Sequence, residues 1–159
     1  MTDKDILAEA STKLEKVIEL VKHTPPSYGD IKRMYLRDLD VLVEQSLGRP
    51  CYKKYRYDNH NGLRGDLEAG YHEPKHGIWK EAPHYATNLD DAFKLLPPGE
   101  DAEILWKATD GPWHVRVSDL AVFRHAPTMP LAILAVHFAR FQMYSTELGA
   151  PDEKRKPAE

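Results

Sequence analysis

The chain is short of cysteine, of net charge and of long apolar runs, and each shortage removes a class of protein. Its single cysteine, Cys51, cannot form an internal disulfide, which fits a reducing compartment. Twenty-two basic against 25 acidic residues leave a formal net charge of −3. That balance gives no global drive toward nucleic acid or an anionic membrane. The most apolar window, Leu131 to Tyr144, is interrupted by His137, Arg140 and Gln142 and is too short to span a bilayer. The opening MTDKDILAEASTKLEK is charged from its third residue and has no apolar signal-peptide core. Together these absences predict a cytoplasmic protein with no membrane partner.

A length of 159 residues suits one domain with a sizeable core. Charge is uneven along it. Residues 1–47 carry seven basic and nine acidic groups, 49–80 seven and four, and 81–130 four and eight. The middle is locally basic and the segment after it acidic, so the two can neutralise each other across a fold.

Hydrophobic periodicity predicts a helix over 3–22, with Leu7, Ala10, Leu14, Val17 and Val21 on one face. That face either packs on its own domain or meets a second copy of the chain. HTPPSYGD then breaks the helix and reads as a linker. A second helix is predicted for Ile31 to Leu47, with Met34, Leu39, Leu42, Val43 and Leu47 inward and a stop at Gly48. CYKKYRY reads as a short strand, DNHNGLRGDLEAG as turn chemistry around Asn61-Gly62, and YHEPKHGIWK shows no period. Residues 51–80 thus read as a long loop-rich region, of a kind that often carries function.

In PHYATNLDDAFKLLPPG, Thr87 with Asp90 three residues on resembles a capping box, and Asp90 and Asp91 suit the first turn of a helix. Leu89, Ala92, Phe93 and Leu96 form its predicted apolar face. Glu103–Ala108 and Trp113–Val117 then make a hairpin across Asp110-Gly111, and Ala121–Ala126 supplies a third strand. Pro127 and Pro130 bracket the start of a last helix running to about Leu148, apolar nearly all round. Its core face is Leu131, Leu134, Ala135, Phe138 and Phe141. The tail APDEKRKPAE holds no core residue and is expected to fray.

LRDLDVLVEQSLG, PHYATNLDDAFKLLPPG, the strand around Trp113 and APTMPLAILAVHFAR stand in the order seen in the phage ABA sandwich domain family. Residues 36–48, 85–93 and 126–140 carry the resemblance, within a span of roughly 35–145. The chain departs from that pattern at Ala86, where serine is usual, and at Phe93, where tryptophan is usual. The resemblance implies a layered α+β fold and a bacteriophage or prophage origin, hence the host bacterial cytoplasm, and it implies no catalytic residue.

Two clusters carry candidate chemistry. Cys51, His60, His72, His76 and His84 fall within 34 residues and are nitrogen and sulfur donors of the kind zinc takes. Pro74 between His72 and His76 argues against a shared helix turn, and surface or loop histidines are the preferred reading of the cluster. CYKKYRY interleaves Lys53, Lys54 and Arg56 with Tyr52, Tyr55 and Tyr57, cations for phosphate beside rings for bases. A half-buried edge strand gives the same alternation. Trp79 is a further ligand-binding candidate. On the last helix, His137, Arg140 and Tyr144 share one side; they line a pocket or a partner surface, or, as the preferred reading, form the polar edge of a mostly buried helix.

The resulting expectation is an α+β protein, a small antiparallel sheet sandwiched between helices in α/β/α layers. Residues 1–30 form an N-terminal helical extension and linker, 31–148 the domain and 149–159 a disordered tail. It is expected to act by binding a host protein or a small nucleotide rather than by catalysis, with no cofactor, and to dimerise if at all through its first helix. The alternatives are a small zinc-dependent enzyme using the histidine-rich 51–84 region and a nucleic-acid binder using 51–57.

Overall fold

A computed structural model describes residues 2–23, 29–58, 63–98, 102–108, 112–117 and 122–148. The elements run α1 (Asp3–His23), α2 (Gly29–Ser46), β1 (Tyr52–Asp58), β2 (Leu63–His72), β3 (Trp79–Glu81) and α3 (Leu89–Phe93), followed by β4 (Ala102–Trp106), β5 (Trp113–Val117), β6 (Val122–Ala126) and α4 (Met129–Leu148). The fold is mixed α+β. Its strands form two antiparallel sheets, β1-β2-β3 and β4-β5-β6.

The second sheet is the one periodicity predicts; the first corrects the reading of 51–80. Leu63–His72 looked like turn chemistry, yet it is a ten-residue strand paired with β1 from Asp58↔Leu63 to Tyr52↔Gly70. The alternation is hard to see because the inward side chains near its end are only Ala69 and Tyr71. They pack with Val41, Cys51 and Ala82 in a small core of their own.

Helix α2 separates the two cores. Every residue from Arg37 to Glu44 is buried. Leu39, Leu42 and Val43 face the main core, shared with α1, α3, α4 and the second sheet, while Val41 faces the first sheet. Leu47 does not turn inward as predicted: it lies past the helix end and is 46 % exposed. Gly48 takes a positive φ of 87° there. The Arg49 N–H returns to the Glu44 carbonyl at 3.0 Å, the Schellman closure that a C-terminal glycine permits. That turn carries Arg49 back over Glu44.

Helix α1 joins the main core through Ile6, Ala10 and Val17. It starts on a capping box in which Thr2 Oγ1 accepts from the Asp5 N–H at 3.2 Å and Asp5 Oδ2 accepts from the Thr2 N–H at 3.1 Å. Leu131 to Phe138 of α4 are all buried, as an apolar-all-round helix requires. Thr128 caps α4, its hydroxyl accepting from the Leu131 N–H at 3.3 Å, and Pro130 falls in the first turn, where its missing N–H costs nothing.

The cap of α3 is one residue later than predicted. Asn88, not Thr87, accepts from the Asp91 N–H. Asp91 uses its carboxylate backward, accepting from the His84 N–H at 2.9 Å, and sideways to Lys94 at 3.0 Å. With that phase Ala92 is buried, Leu95 and Leu96 pack against the core, and Leu89 and Phe93 stay outside.

Candidate functional site

A cleft of about 590 Å³ opens where the C-terminal end of α2, the edge of the first sheet, the 83–88 turn and α4 meet. That size is ordinary for a small-molecule site. Four cations line it, Arg49, Lys80, Lys94 and Arg140, against two carboxylates, Glu44 and Glu81. Its apolar wall comes from Leu47, Tyr71, Pro83, Tyr85 and Leu95.

Glu44 forms the floor. Its Oε1 accepts from the Tyr85 hydroxyl at 2.5 Å, and Arg49 Nη1 reaches Oε1 at 2.8 Å and Oε2 at 2.9 Å. Burial pushes the Tyr85 phenol well above its ordinary range, and the bond to Glu44 adds to the shift. The hydroxyl therefore stays protonated and donates, which keeps the Glu44 carboxylate satisfied where water is largely excluded.

Behind the floor, Asp40 and Arg37 occupy the same face of α2 one and two turns earlier. Arg37 donates to Asp40 Oδ2 at 2.7 Å and to the backbone oxygens of Ala82 at 2.7 Å and Pro83 at 2.9 Å. Asp40 Oδ1 accepts from the Ala86 N–H at 2.8 Å. The pair thus fixes the strand exit and the turn that carries Tyr85. Burial raises the Asp40 carboxyl to about 6, against the lowering pull of Arg37.

His137 meets Ser46 Oγ through Nε2 at 2.8 Å. Since the Ser46 hydroxyl also lies 2.6 Å from the Val43 carbonyl, its one hydrogen goes to that oxygen, and Nε2–H of His137 is the donor to Oγ. Burial lowers His137 to about 4, with Arg140 adding to the effect.

These two buried groups predict opposing pH dependences. His137, depressed from 6.5 to about 4, is neutral in the fold, so its contribution to stability is lost as pH falls from about 6.5 to 4. Asp40, raised from 3.8 to about 6, contributes stability below about 4 that is lost as pH rises to 6. In the intact chain the two slopes offset. Asp40→Asn should leave stability rising by roughly 2 kcal/mol between about pH 4 and 6.5. His137→Gln should leave it falling by a similar amount as pH rises over that span. Urea titrations at several pH values check this, and slopes of the same sign in both variants would refute it.

The structure brings together only part of the residue set that the sequence singles out. His137 and Arg140 line the cleft. Lys53 points to the other side of its strand and ion-pairs with Asp38 of α2, which Lys13 of α1 also meets at 2.9 Å. Lys54 lies over the Trp79 ring at 4.0 Å, and Tyr52 and His72 meet the same ring edge-on at 5.5 and 5.1 Å. These four form a separate cluster on the outer face of the first sheet. The side chains of Tyr55 and Arg56, and all of His60, lie outside the described residues.

The zinc candidates are dispersed. Cys51 is buried beneath the first sheet, where burial pushes its thiol to about 11, so it is not a poised thiolate. His84 sits beside Glu81 at 3.4 Å. His72-Glu73-Pro74-Lys75-His76 spells the HExxH pattern of zinc peptidases, whose chemistry requires a helix with both imidazoles on one face. Here His72 ends β2, residues 74–76 form the turn into β3, and His72 Nδ1 lies 3.0 Å from the Gly77 carbonyl. Among the described residues no three His, Cys, Asp or Glu side chains converge on one point.

Sequence reading missed Glu44, Arg49, Lys80, Tyr85 and Lys94. No local signal marks the floor: Arg37, Asp40 and Glu44 share one face of α2, where charged residues read as the solvent side. No protein-family model, curated protein or solved structure matches the chain.

Proposed function

We propose that the chain is a binding protein, not an enzyme, and that its cleft takes a small phosphorylated ligand of the nucleotide class. The observation that carries this reading is the lining: Lys80, Lys94 and Arg140 around a wall of Tyr71, Tyr85, Leu47 and Leu95, over a Glu44 floor whose charge Arg49 balances and whose Oε1 accepts from Tyr85. Cations suit phosphate, and the rings and aliphatic groups suit a base. Among the described residues, Lys80 and Lys94 are tied by exposed ion pairs, to Glu73 at 3.6 Å and Asp91 at 3.0 Å. Such pairs are weak, and a ligand can displace them.

Of the groups that line the cleft, those nearest to proton chemistry favour binding over catalysis. Tyr85 is held protonated by burial and by Glu44, and His137 is held neutral. Neither sits near the working range of a general acid or base. The resemblance to the phage ABA sandwich domain family supplies a context, in which a phage or prophage accessory protein sequesters a host nucleotide in counter-defence.

Calorimetric titration with nucleoside mono-, di- and triphosphates, and with inorganic phosphate, tests the reading. Lys94→Ala and Arg140→Ala should each weaken nucleotide binding about five- to tenfold while leaving the melting temperature within a few degrees. No binding by any of these ligands at low salt would sink it.

A further inference from the structure

The two sheets treat their edges differently. In the first, β1 carries Lys53 and Lys54 and shifts register between Tyr55 and Tyr57, and β3 is three residues long. Bulges, cations and short strands all discourage a sheet edge from accepting another strand. Strand β4 of the second sheet has no bulge. It pairs with β5 in continuous register from Ala102↔Val117 to Trp106↔Trp113, exposing Leu105 at 45 % and Trp106 at 61 %. No strand among the described residues pairs with its outer edge.

We propose that this edge pairs antiparallel with the same edge of a second copy, about a two-fold axis at Leu105. The backbone parity supports that register. The Lys107 N–H donates to the Pro112 carbonyl at 2.8 Å, so Leu105 and Glu103, two and four residues back, also turn their backbone groups toward β5. The N–H and C=O groups of Ile104 and Trp106 therefore point outward. An axis at Leu105 sets Ile104 opposite Trp106 of the second copy, twice, so outward donors and acceptors meet in two hydrogen-bonded pairs.

Side-chain chemistry selects the same axis. It places Leu105 against Leu105 in the closely spaced, non-hydrogen-bonded position, and Glu103 across from Lys107 on both sides. Moving the axis to Ile104 also matches the outward groups but sets Glu103 against Leu105, and an axis at Glu103 opposes two like charges. Glu103 already meets Arg116 of its own chain at 2.7 Å through one carboxylate oxygen, a pairing on the exposed face that Lys107 of the second copy extends. The β4-β5-β6 sheets of the two copies then become one six-stranded sheet. The apolar stripe of α1, by contrast, is used inside its own chain at Ile6, Ala10 and Val17.

One strand pair with two tryptophans makes a small interface, so a dissociation constant on the order of tens of micromolar is expected. Sedimentation equilibrium of the full chain from roughly 1 to 300 µM, bracketing that value, reads it. Trp106→Pro removes an outward N–H that β5 does not use and should weaken the dimer at least about 30-fold with an unchanged far-UV spectrum. Should that variant misfold, Leu105→Lys reads the same axis from an exposed side chain. Glu103→Lys and Lys107→Glu should each weaken association about tenfold, and the double swap should restore it to within about threefold. A chain monomeric at the highest concentration overturns the proposal. So does a dimer indifferent to both Trp106→Pro and Leu105→Lys, or a double swap no better than the single variants.

Discussion

Replacing Arg37 by methionine should lower stability by about 4 kcal/mol, because it strands a buried carboxylate. Asp40 is almost fully buried and receives Arg37 Nη1 at 2.7 Å. Methionine roughly fills the volume of the arginine stem and removes every donor. Asp40 keeps only the Ala86 N–H, and the carbonyls of Ala82 and Pro83 lose their shared partner. Protonation of Asp40 can relieve part of the cost, so the loss should be smaller at pH 5 than at pH 8. Removing the carboxylate as well, in Arg37→Met/Asp40→Leu, should recover about 1–2 kcal/mol, since an apolar pair carries no buried charge, although the Ala86 N–H loses its acceptor. Urea unfolding of the three proteins checks this. A single-variant loss below about 1 kcal/mol would show that the ion pair does not hold the junction.

The same substitution tests how the fold makes the site. Arg37 touches no ligand position, yet it fixes the carbonyls that lead into Tyr85, whose hydroxyl meets Glu44. Nucleotide affinity should therefore fall in Arg37→Met under conditions where the chain is still folded.

How much of this was legible beforehand follows from where each residue's partner lies. The apolar stripes of α1, α2 and α4 and the β4–β5 hairpin are local patterns, and the structure has them close to their predicted bounds. Arg37, Asp40 and Glu44 are not legible, because charged residues on a helix read as its wet face. Their partners Ala82, Pro83, Ala86 and Tyr85 lie 41 to 46 residues away. Strand β2 escaped for a related reason, since its described inward side chains are only Ala69 and Tyr71, and they pack against Val41, Cys51 and Ala82 from other elements. His137 and Arg140 could be picked out because polar groups interrupt an otherwise apolar helix. Lys80 and Lys94 could not, since a surface lysine carries no sign of what it surrounds. The shift of the α3 cap from Thr87 to Asn88 shows the limit of capping patterns. Either residue fits the motif, and the bond from Asp91 back to His84 selects the later one.

Gly70 is a second point where the junction can be broken, this time by adding one carbon. A Cβ there would fall deep inside contact distance of the Lys80 carbonyl oxygen and 2.9 Å from Trp79 Cζ2. Both belong to β3, which is only three residues long and pairs with β2 at Gly70↔Glu81, Tyr71↔Lys80 and His72↔Trp79. Backbone cannot rotate away as a side chain can, so Gly70→Ala must push β3 off β2. The Ala82 N–H then loses the Ala69 carbonyl at 2.8 Å, and Arg37 loses its acceptors at Ala82 and Pro83. The expected cost is about 3 kcal/mol or slightly more, at the upper end for overpacking. Hydrogen exchange should show lost protection confined to residues 69–83 before global unfolding. Because Gly70→Ala and Arg37→Met undo the same junction, their costs should not add: in the Arg37→Met background Gly70→Ala should cost at least about 1 kcal/mol less. Simple additivity, or a cost below about 1 kcal/mol alone, would mean that β3 yields without disturbing α2 and that the cleft has two independent walls.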